Sequence, residues 1–334
     1  MAVSSSASPP DSSATVETPV MARARRAVRG GALDFLRFLA SLLIVLYHFG
    51  AESPLRIERF HQVFSRGFLA TDFFLILSGY VLGRAYGAST LSGHITPGRF
   101  WVRRAARVWP GHLMVLAAMA VLVLILNAIG TDAHKPSRFA WDQLPVQALL
   151  VHAWGFPSDG WNLPSWSLSA LIVCYAIFPF LWKAADRVRH AVVLPLVGAA
   201  VVLVFEAIAH YGFDQALADL RLQFGVVRAL PLFVLGVCLA RAVEMDWPSE
   251  KAARVLLYGG VVVLVGWQTL DRYALPDVLW FDLPSLAANT VPIGIGWQWL
   301  MWLAGFPLAY GGAWLFHTYV DQPVQDRLAP WLRR

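Results

Sequence analysis

The feature that most constrains this chain is a succession of apolar runs too numerous to share one water-soluble core. They extend from Phe35 to Tyr47, Leu113 to Leu126, Leu168 to Phe180, Ala191 to Phe205, Val226 to Leu239 and Val255 to Trp267. Several approach the roughly 20 residues that cross a hydrocarbon layer. Of 334 residues, 57% are hydrophobic and 14% charged, so the apolar surface needs lipid as its solvent. An isolated strand in lipid would leave its peptide groups unpaired, so each run is expected to be a helix. The fold class is therefore all-α, a polytopic transmembrane bundle of eight to ten helices. The 15 tryptophans fit that setting, because indoles favour the membrane interface.

Charge orients the bundle. Residues 1–30 are rich in Ser, Ala and Pro and then basic at Arg23, Arg25, Arg26 and Arg29, with no apolar stretch that would read as a cleavable signal peptide. They are expected to form a disordered basic cytoplasmic tail, followed by a single membrane domain over residues 31–334. Arg84, Arg99, Arg103, Arg104 and Arg107 fall between the second and third spans and mark a loop on the same side as the tail. The piece from Leu144 to Trp154, bounded by Pro145 and Pro157, is expected to be an outer loop or re-entrant hairpin. Leaving it out of the count puts Lys183, Arg187, Arg189, Arg241, Lys251 and Arg254 inside. The region from Leu279 to Tyr319 reads as one span or two. The formal charge of +6 follows from these loops and comes with no nucleic-acid motif. Cys174 and Cys238 sit inside apolar runs as small buried side chains, and no spacing of metal ligands is present.

Ionisable residues inside membrane runs cost several kcal/mol unless paired or wetted, so they are candidates for function. The first run has the best set. Asp34, Ser41 and His48 are spaced by seven, and Arg37 precedes His48 by eleven. At 100° per residue the four share one helical stripe, expected to face one cavity or groove. Arg37 and His48 would be separated by about 16 Å along the axis and must act on different parts of a ligand. The plainer alternative is an Asp34–Arg37 surface pair with His48 at the other interface.

Four segments in order then resemble acyltransferase family 3, membrane proteins that O-acylate bacterial surface glycans and some small molecules. Leu33-Asp34-Phe35-Leu36-Arg37 running to Leu46-Tyr47-His48 is similar to the family's opening signature. Phe73 to Tyr80 is similar to its second-helix motif, Phe100 to Pro110 to its basic loop, and Trp166-Ser167-Leu168-Ser169 to its central Trp-Ser-Leu-Ser. Tyr319 with Asp321-Gln322-Pro323 resembles a weaker form of its terminal Glu-x-Pro. Leu171 stands where the family usually has an acidic residue.

The resemblance implies acyl transfer from acetyl-CoA or another acyl-CoA, without a metal, to a carbohydrate hydroxyl. His48 has the right chemistry for a general base near neutrality. Arg37, beside Asp34, would hold an anionic part of the donor or a developing oxyanion. Arg103, Arg104 and Arg107 would bind donor phosphates, with Trp101 or Trp109 stacking on adenine. Asp72, Ser78, Tyr80, Trp166, Ser167 and Ser169 would line the substrate cavity, with Gly79 allowing close helix packing and Ser78 bonding across helices. Glu206, His210, Asp214, Arg228 and His317 read as structural. The expected setting is a bacterial inner membrane with the amino terminus cytoplasmic, in contact with lipid and with polysaccharide synthesis or export machinery. Two other classes remain open: a transporter or flippase for a lipid-linked sugar, and a non-catalytic subunit of a polysaccharide synthase.

Overall fold

The computed structural model describes residues 19–50, 66–130, 136–158, 160–256 and 311–333, with a few isolated positions between them; over residues 19–32 it describes the backbone alone. The helices are α1 (Pro19–Gly50), α2 (Ala70–Leu91), α3 (Pro97–Ala128), the short α4 (Leu144–Ala148), α5 (Trp166–Asp186), α6 (Val193–Phe213), α7 (Gly225–Glu244) and α8 (Gln322–Arg333). No strand occurs among the described residues. Six helical stretches there are long and apolar enough to cross a membrane, those containing α1, α2, α3, α5, α6 and α7. The run from Val255 to Trp267 and the region from Leu279 to residue 310 lie almost wholly outside the described residues. Part of the stretch expected to be a disordered tail is helical, since α1 opens at Pro19. Proline suits a first helical position, and the Ala- and Arg-rich sequence after it favours helix.

Two ends of the bundle can be told apart by their contacts. At the basic end, Arg84 on α2 faces Glu244 on α7 at 3.9 Å, and Arg241 on α7 pairs with Asp186 on α5 at 2.8 Å. At the distal end, the last turn of α1 meets the first turns of α2, and α5 and α7 begin beside them.

The core lies between α2, α5 and α7. Lipid supplies no hydrophobic drive between helices, so close van der Waals packing has to hold them together. Gly79 and Gly236 provide it: a Cβ on Gly79 would run into the Phe233 carbonyl, and one on Gly236 into the Ile76 carbonyl. One turn further along α2, a Cβ at Gly83 would sit 2.5 Å from the Trp182 ring. Fully buried Phe100 stacks on Phe178 with centroids 5.0 Å apart, and Phe178 meets Phe233 edge-on at 6.4 Å. Such pairs contribute about 0.5–1.5 kcal/mol each beyond their area.

α3 opens with Thr96 as its cap, whose side chain accepts from the Arg99 N–H at 3.3 Å, and Pro97 in its first turn. Pro110 inside α3 removes the donor for the Ala106 carbonyl. The side chain of Gln325 on α8 replaces it, donating to the Ala106 and Arg107 carbonyls at 3.2 Å each.

The segment 136–165 does not span. It folds back along the distal half of α3, with Phe139, Leu144, Ala148 and Trp161 packed against Leu116, Met119, Ala120 and Val123. Two of its buried residues, Leu150 and Trp161, hold left-handed backbone at φ of 55° and 49°.

Candidate functional site

At the basic end, four helices enclose a cavity of about 200 Å³ lined by Arg37 of α1, Phe74, Leu77, Ser78 and Val81 of α2, Arg104 of α3 and Tyr175 of α5. Three of the expected site residues, Arg37, Ser78 and Arg104, thus come together. Arg37 donates to Asp34 at 2.7 Å. The Arg104 guanidinium lies 4.6 Å from the Tyr86 ring centroid and 5.9 Å from that of Tyr175. Aromatic faces stabilise a cation without quenching its charge, so Arg104 stays available to an anion. Arg107, one turn on, is exposed, and Arg103 is half-buried. The Trp101 indole N–H donates to the Ala176 carbonyl at 3.1 Å, fastening α3 to α5 while part of the ring remains exposed. Trp109 is used differently, its N–H donating to the Ala148 carbonyl at the end of α4. Ser78 bonds within its own helix, to the Phe74 carbonyl at 2.8 Å, and not across helices. Its depth in the helix puts an in-register carbonyl nearer than any neighbouring chain. Tyr80 lines a larger neighbouring cavity of about 1290 Å³ with Arg84, Arg241, Glu244 and Trp247.

His48 is at the distal end, eleven residues or about 16 Å along α1 from Arg37. The four-residue stripe does not face one cavity. Arg37 turns inward along the packed line of Ala40, Leu43 and Tyr47, whereas Asp34, Ser41 and His48 are exposed at its edge. The angular offset between adjacent stripes is small, and contact with Gly67 centres on Leu43 and Tyr47.

Next to His48 is a cluster the sequence did not announce. Arg228 of α7, fully buried, pairs with Asp72 of α2 at 2.7 Å and donates to the Ala218 carbonyl and, at 3.2 Å, the Phe68 carbonyl. Its guanidinium lies 5.4 Å from the Trp166 ring centroid. Asp72 and Trp166, expected as cavity lining, therefore meet around Arg228. Arg221 stacks over Phe68 at 4.4 Å and donates to the Tyr47 hydroxyl at 3.0 Å.

Ser169 is buried, and its hydroxyl accepts from the Ala153 N–H at 3.0 Å while its carbonyl accepts from the Trp154 indole at 2.9 Å. Ser167 donates to the Pro164 carbonyl at 3.3 Å. Ser169 thus holds the folded-back segment on α5, whereas the Ser167 bond is local to the start of the helix. The same segment carries buried His152, 3.3 Å from the Ser165 hydroxyl, and Gln147, whose carbonyl contacts His112 at 2.8 Å. Burial, reinforced by nearby His112, pushes the His152 imidazole down to about 4, so it is neutral at physiological pH.

Spacing alone makes Arg228 structural, although an arginine three residues into an apolar run is itself a signal. Its partner lies 156 residues away, which no spacing rule reaches. Gly79, Gly83 and Gly87 recur every four residues, a small-residue pattern that marks close helix packing.

A family model described as an acyltransferase domain matches residues 31–331. Among curated proteins, "Protein 2 in picA locus" of Rhizobium radiobacter is 32% identical over 186 residues, or 52% of this chain and 93% of that protein. Acyltransferase MdmB of Streptomyces mycarofaciens is 31% identical over 172 residues, 49% of this chain and 42% of its own length. The protein named "Putative peptidoglycan O-acetyltransferase YrhL" of Bacillus subtilis is 26% identical over 235 residues, 66% of this chain and 33% of its own length. The chain thus spans less than half of the latter two. No solved structure matches.

Proposed function

The chain belongs to acyltransferase family 3, and on that premise we propose that it transfers an acyl group, acetyl in the first instance, from cytosolic acyl-CoA to a hydroxyl of a cell-surface or exported carbohydrate. It works as a multi-pass protein of the bacterial inner membrane, with its amino terminus cytoplasmic and the basic end facing the donor. The observation that carries this reading is the division of labour along α1. Arg37 joins Arg104 in a cavity at the basic end, while His48 is exposed about 16 Å away at the other.

Arg103, Arg104 and Arg107 bind the donor phosphates, the exposed part of the Trp101 ring offers a face for adenine, and Arg37, steadied by Asp34, holds the donor between them. Ser78 and Tyr80 line the donor side. Asp72, Trp166, Ser167 and Ser169 frame the acceptor side, mainly by fixing the walls. At the distal end His48 takes the proton from the acceptor hydroxyl as its oxygen attacks the thioester carbonyl. A base so placed contributes typically about a hundred- to ten-thousand-fold in rate. The carbohydrate acceptor is supported by the name of the YrhL relative, a peptidoglycan O-acetyltransferase. An exopolysaccharide or lipid-linked glycan is the first choice of acceptor, with synthesis or export machinery as the neighbouring partner.

The purified protein in lipid should consume acetyl-CoA in the presence of a glycan acceptor. His48→Ala should lower that rate at least a hundredfold while the melting temperature stays unchanged. Wild-type protein that is folded and consumes no thioester, or a fully active His48→Ala variant, refutes the reading.

A further inference from the structure

Addition of a hydroxyl to a thioester carbonyl gives a tetrahedral adduct whose negative charge develops on the carbonyl oxygen near the base, and a preorganised cation there is worth far more than one at a distance. Arg37 is about 16 Å from His48 along α1 and cannot supply it. Among the described residues, Arg228 and Arg221 both place a guanidinium against Phe68 at the distal end, and their surroundings differ. Arg228 is neutralised by Asp72 and by two peptide carbonyls, so its donors are committed to holding α2 against α7. Arg221 has no carboxylate within ion-pair distance among the described residues; one of its N–H groups is given to the Tyr47 hydroxyl and its face rests on Phe68. A guanidinium has five N–H donors, so this arrangement leaves donors for a ligand. Among the described residues no carboxylate meets this half-buried cation, and a cation so placed favours the approach of an anion.

Its position is fixed rather than incidental. Tyr47 immediately precedes His48 on α1, and the two rings meet edge-on at 5.1 Å. Leu222, the residue after Arg221, is held in left-handed backbone at φ 55°, and Gln223 exchanges hydrogen bonds of 2.7 Å with Gly155 of the folded-back segment. Residue 221 is therefore tied to α1 by its side chain, and two residues further on Gln223 ties the same stretch to the segment over α5. The positive charge of Arg221 also reaches the His48 imidazole electrostatically.

We propose that Arg221 is a catalytic residue of the acyl transfer, binding the oxyanion that forms on the acyl carbonyl while Tyr47 aims its guanidinium. This rests on the acyltransferase reading with His48 as base. In the step, the acceptor hydroxyl gives its proton to His48 and its oxygen bonds to the carbonyl carbon. The carbonyl π pair moves onto oxygen, where Arg221 meets it. Collapse restores the C=O bond and breaks the C–S bond, and the leaving thiolate takes the proton from His48. One ester and one free thiol result.

The test is steady-state kinetics of the full chain in nanodiscs, with acetyl-CoA and a soluble glycan acceptor. Arg221→Gln should lower kcat a hundredfold or more with the KM of both substrates within twofold of wild type. Arg221→Lys should recover part of that loss, and guanidinium ion added to Arg221→Gly should restore turnover in a saturable way. Tyr47→Phe, which keeps the ring and its packing, should lower kcat three- to tenfold. Should Arg221→Gln fail to fold, Arg221→Lys and Tyr47→Phe carry the same test. An unchanged kcat in Arg221→Gln or Tyr47→Phe overturns the proposal while the His48 base stands. A raised acceptor KM at constant kcat also overturns it, in favour of an acceptor-anion contact. Inactivity of the wild type overturns the acyltransferase reading itself, which is a separate result.

Discussion

α1 and α7 both bring a costly polar side chain to the distal end, and they treat it in opposite ways. Over its spanning stretch α1 is 11% buried, and its His48 is exposed. The stretch ending in α7 is 56% buried, and its Arg228 is wholly enclosed and paired. The rule that ionisable groups inside membranes mark function selects both residues. Burial then separates them: a group sealed among its own partners maintains the fold, and one left open on a thinly packed helix is available for chemistry. His152, sealed in the segment beside α3, belongs with Arg228, although it is the same residue type as His48.

The comparison breaks most visibly at the contact that α7 makes with α2. Gly79→Leu forces a side chain into the Phe233 carbonyl and should abolish folded, monodisperse protein on size-exclusion chromatography. Nothing similar is expected for Ser41→Leu on exposed α1. Arg228→Leu leaves Asp72 charged without its partner and should lower stability by about 3–5 kcal/mol in a denaturant or thermal series.

His152 sharpens the contrast through pH. The folded state holds the His152 imidazole near 4, below the ordinary 6.5 of the unfolded chain. The unfolded state therefore binds the extra proton between those values. The stability from neutral His152 is full above about 6.5 and is lost as pH falls towards 4, by at most about 3 kcal/mol. His152→Gln should flatten that slope in thermal melts of the reconstituted protein. The smallest effect is expected at the basic end. Arg104→Ala combined with Arg107→Ala should raise the KM for acetyl-CoA about tenfold, or about 1.4 kcal/mol, with kcat nearly unchanged.

The order of apolar runs was enough to predict an all-α membrane bundle, because backbone satisfaction in lipid leaves helices as the one open solution for such runs. The exclusion of Leu144 to Trp154 from the spans was also legible, since it rests on the flanking prolines and on the distribution of charge. The helical stripe on α1 predicted that Arg37 and His48 stand at different depths, and α1 as folded has them so. It did not predict that Arg37 would turn inward while His48 stays at the edge, because a difference of some tens of degrees around a helix is settled by what packs against it.

What the linear order of residues determined is thus the inventory: which segments enter lipid, which carry charge, and how far along one helix two groups are spaced. Those properties are periodic or local and survive without knowledge of neighbours. The tertiary structure alone decided the pairings. Asp72 meets Arg228 across 156 residues, Tyr47 meets Arg221 across 174, and Gln325 mends the break at Pro110 from the far end of the chain. Each pairing depends on which helices lie side by side. In lipid that choice is made by close contact at Gly79, Gly83 and Gly236 and not by hydrophobicity, to which every run contributes alike.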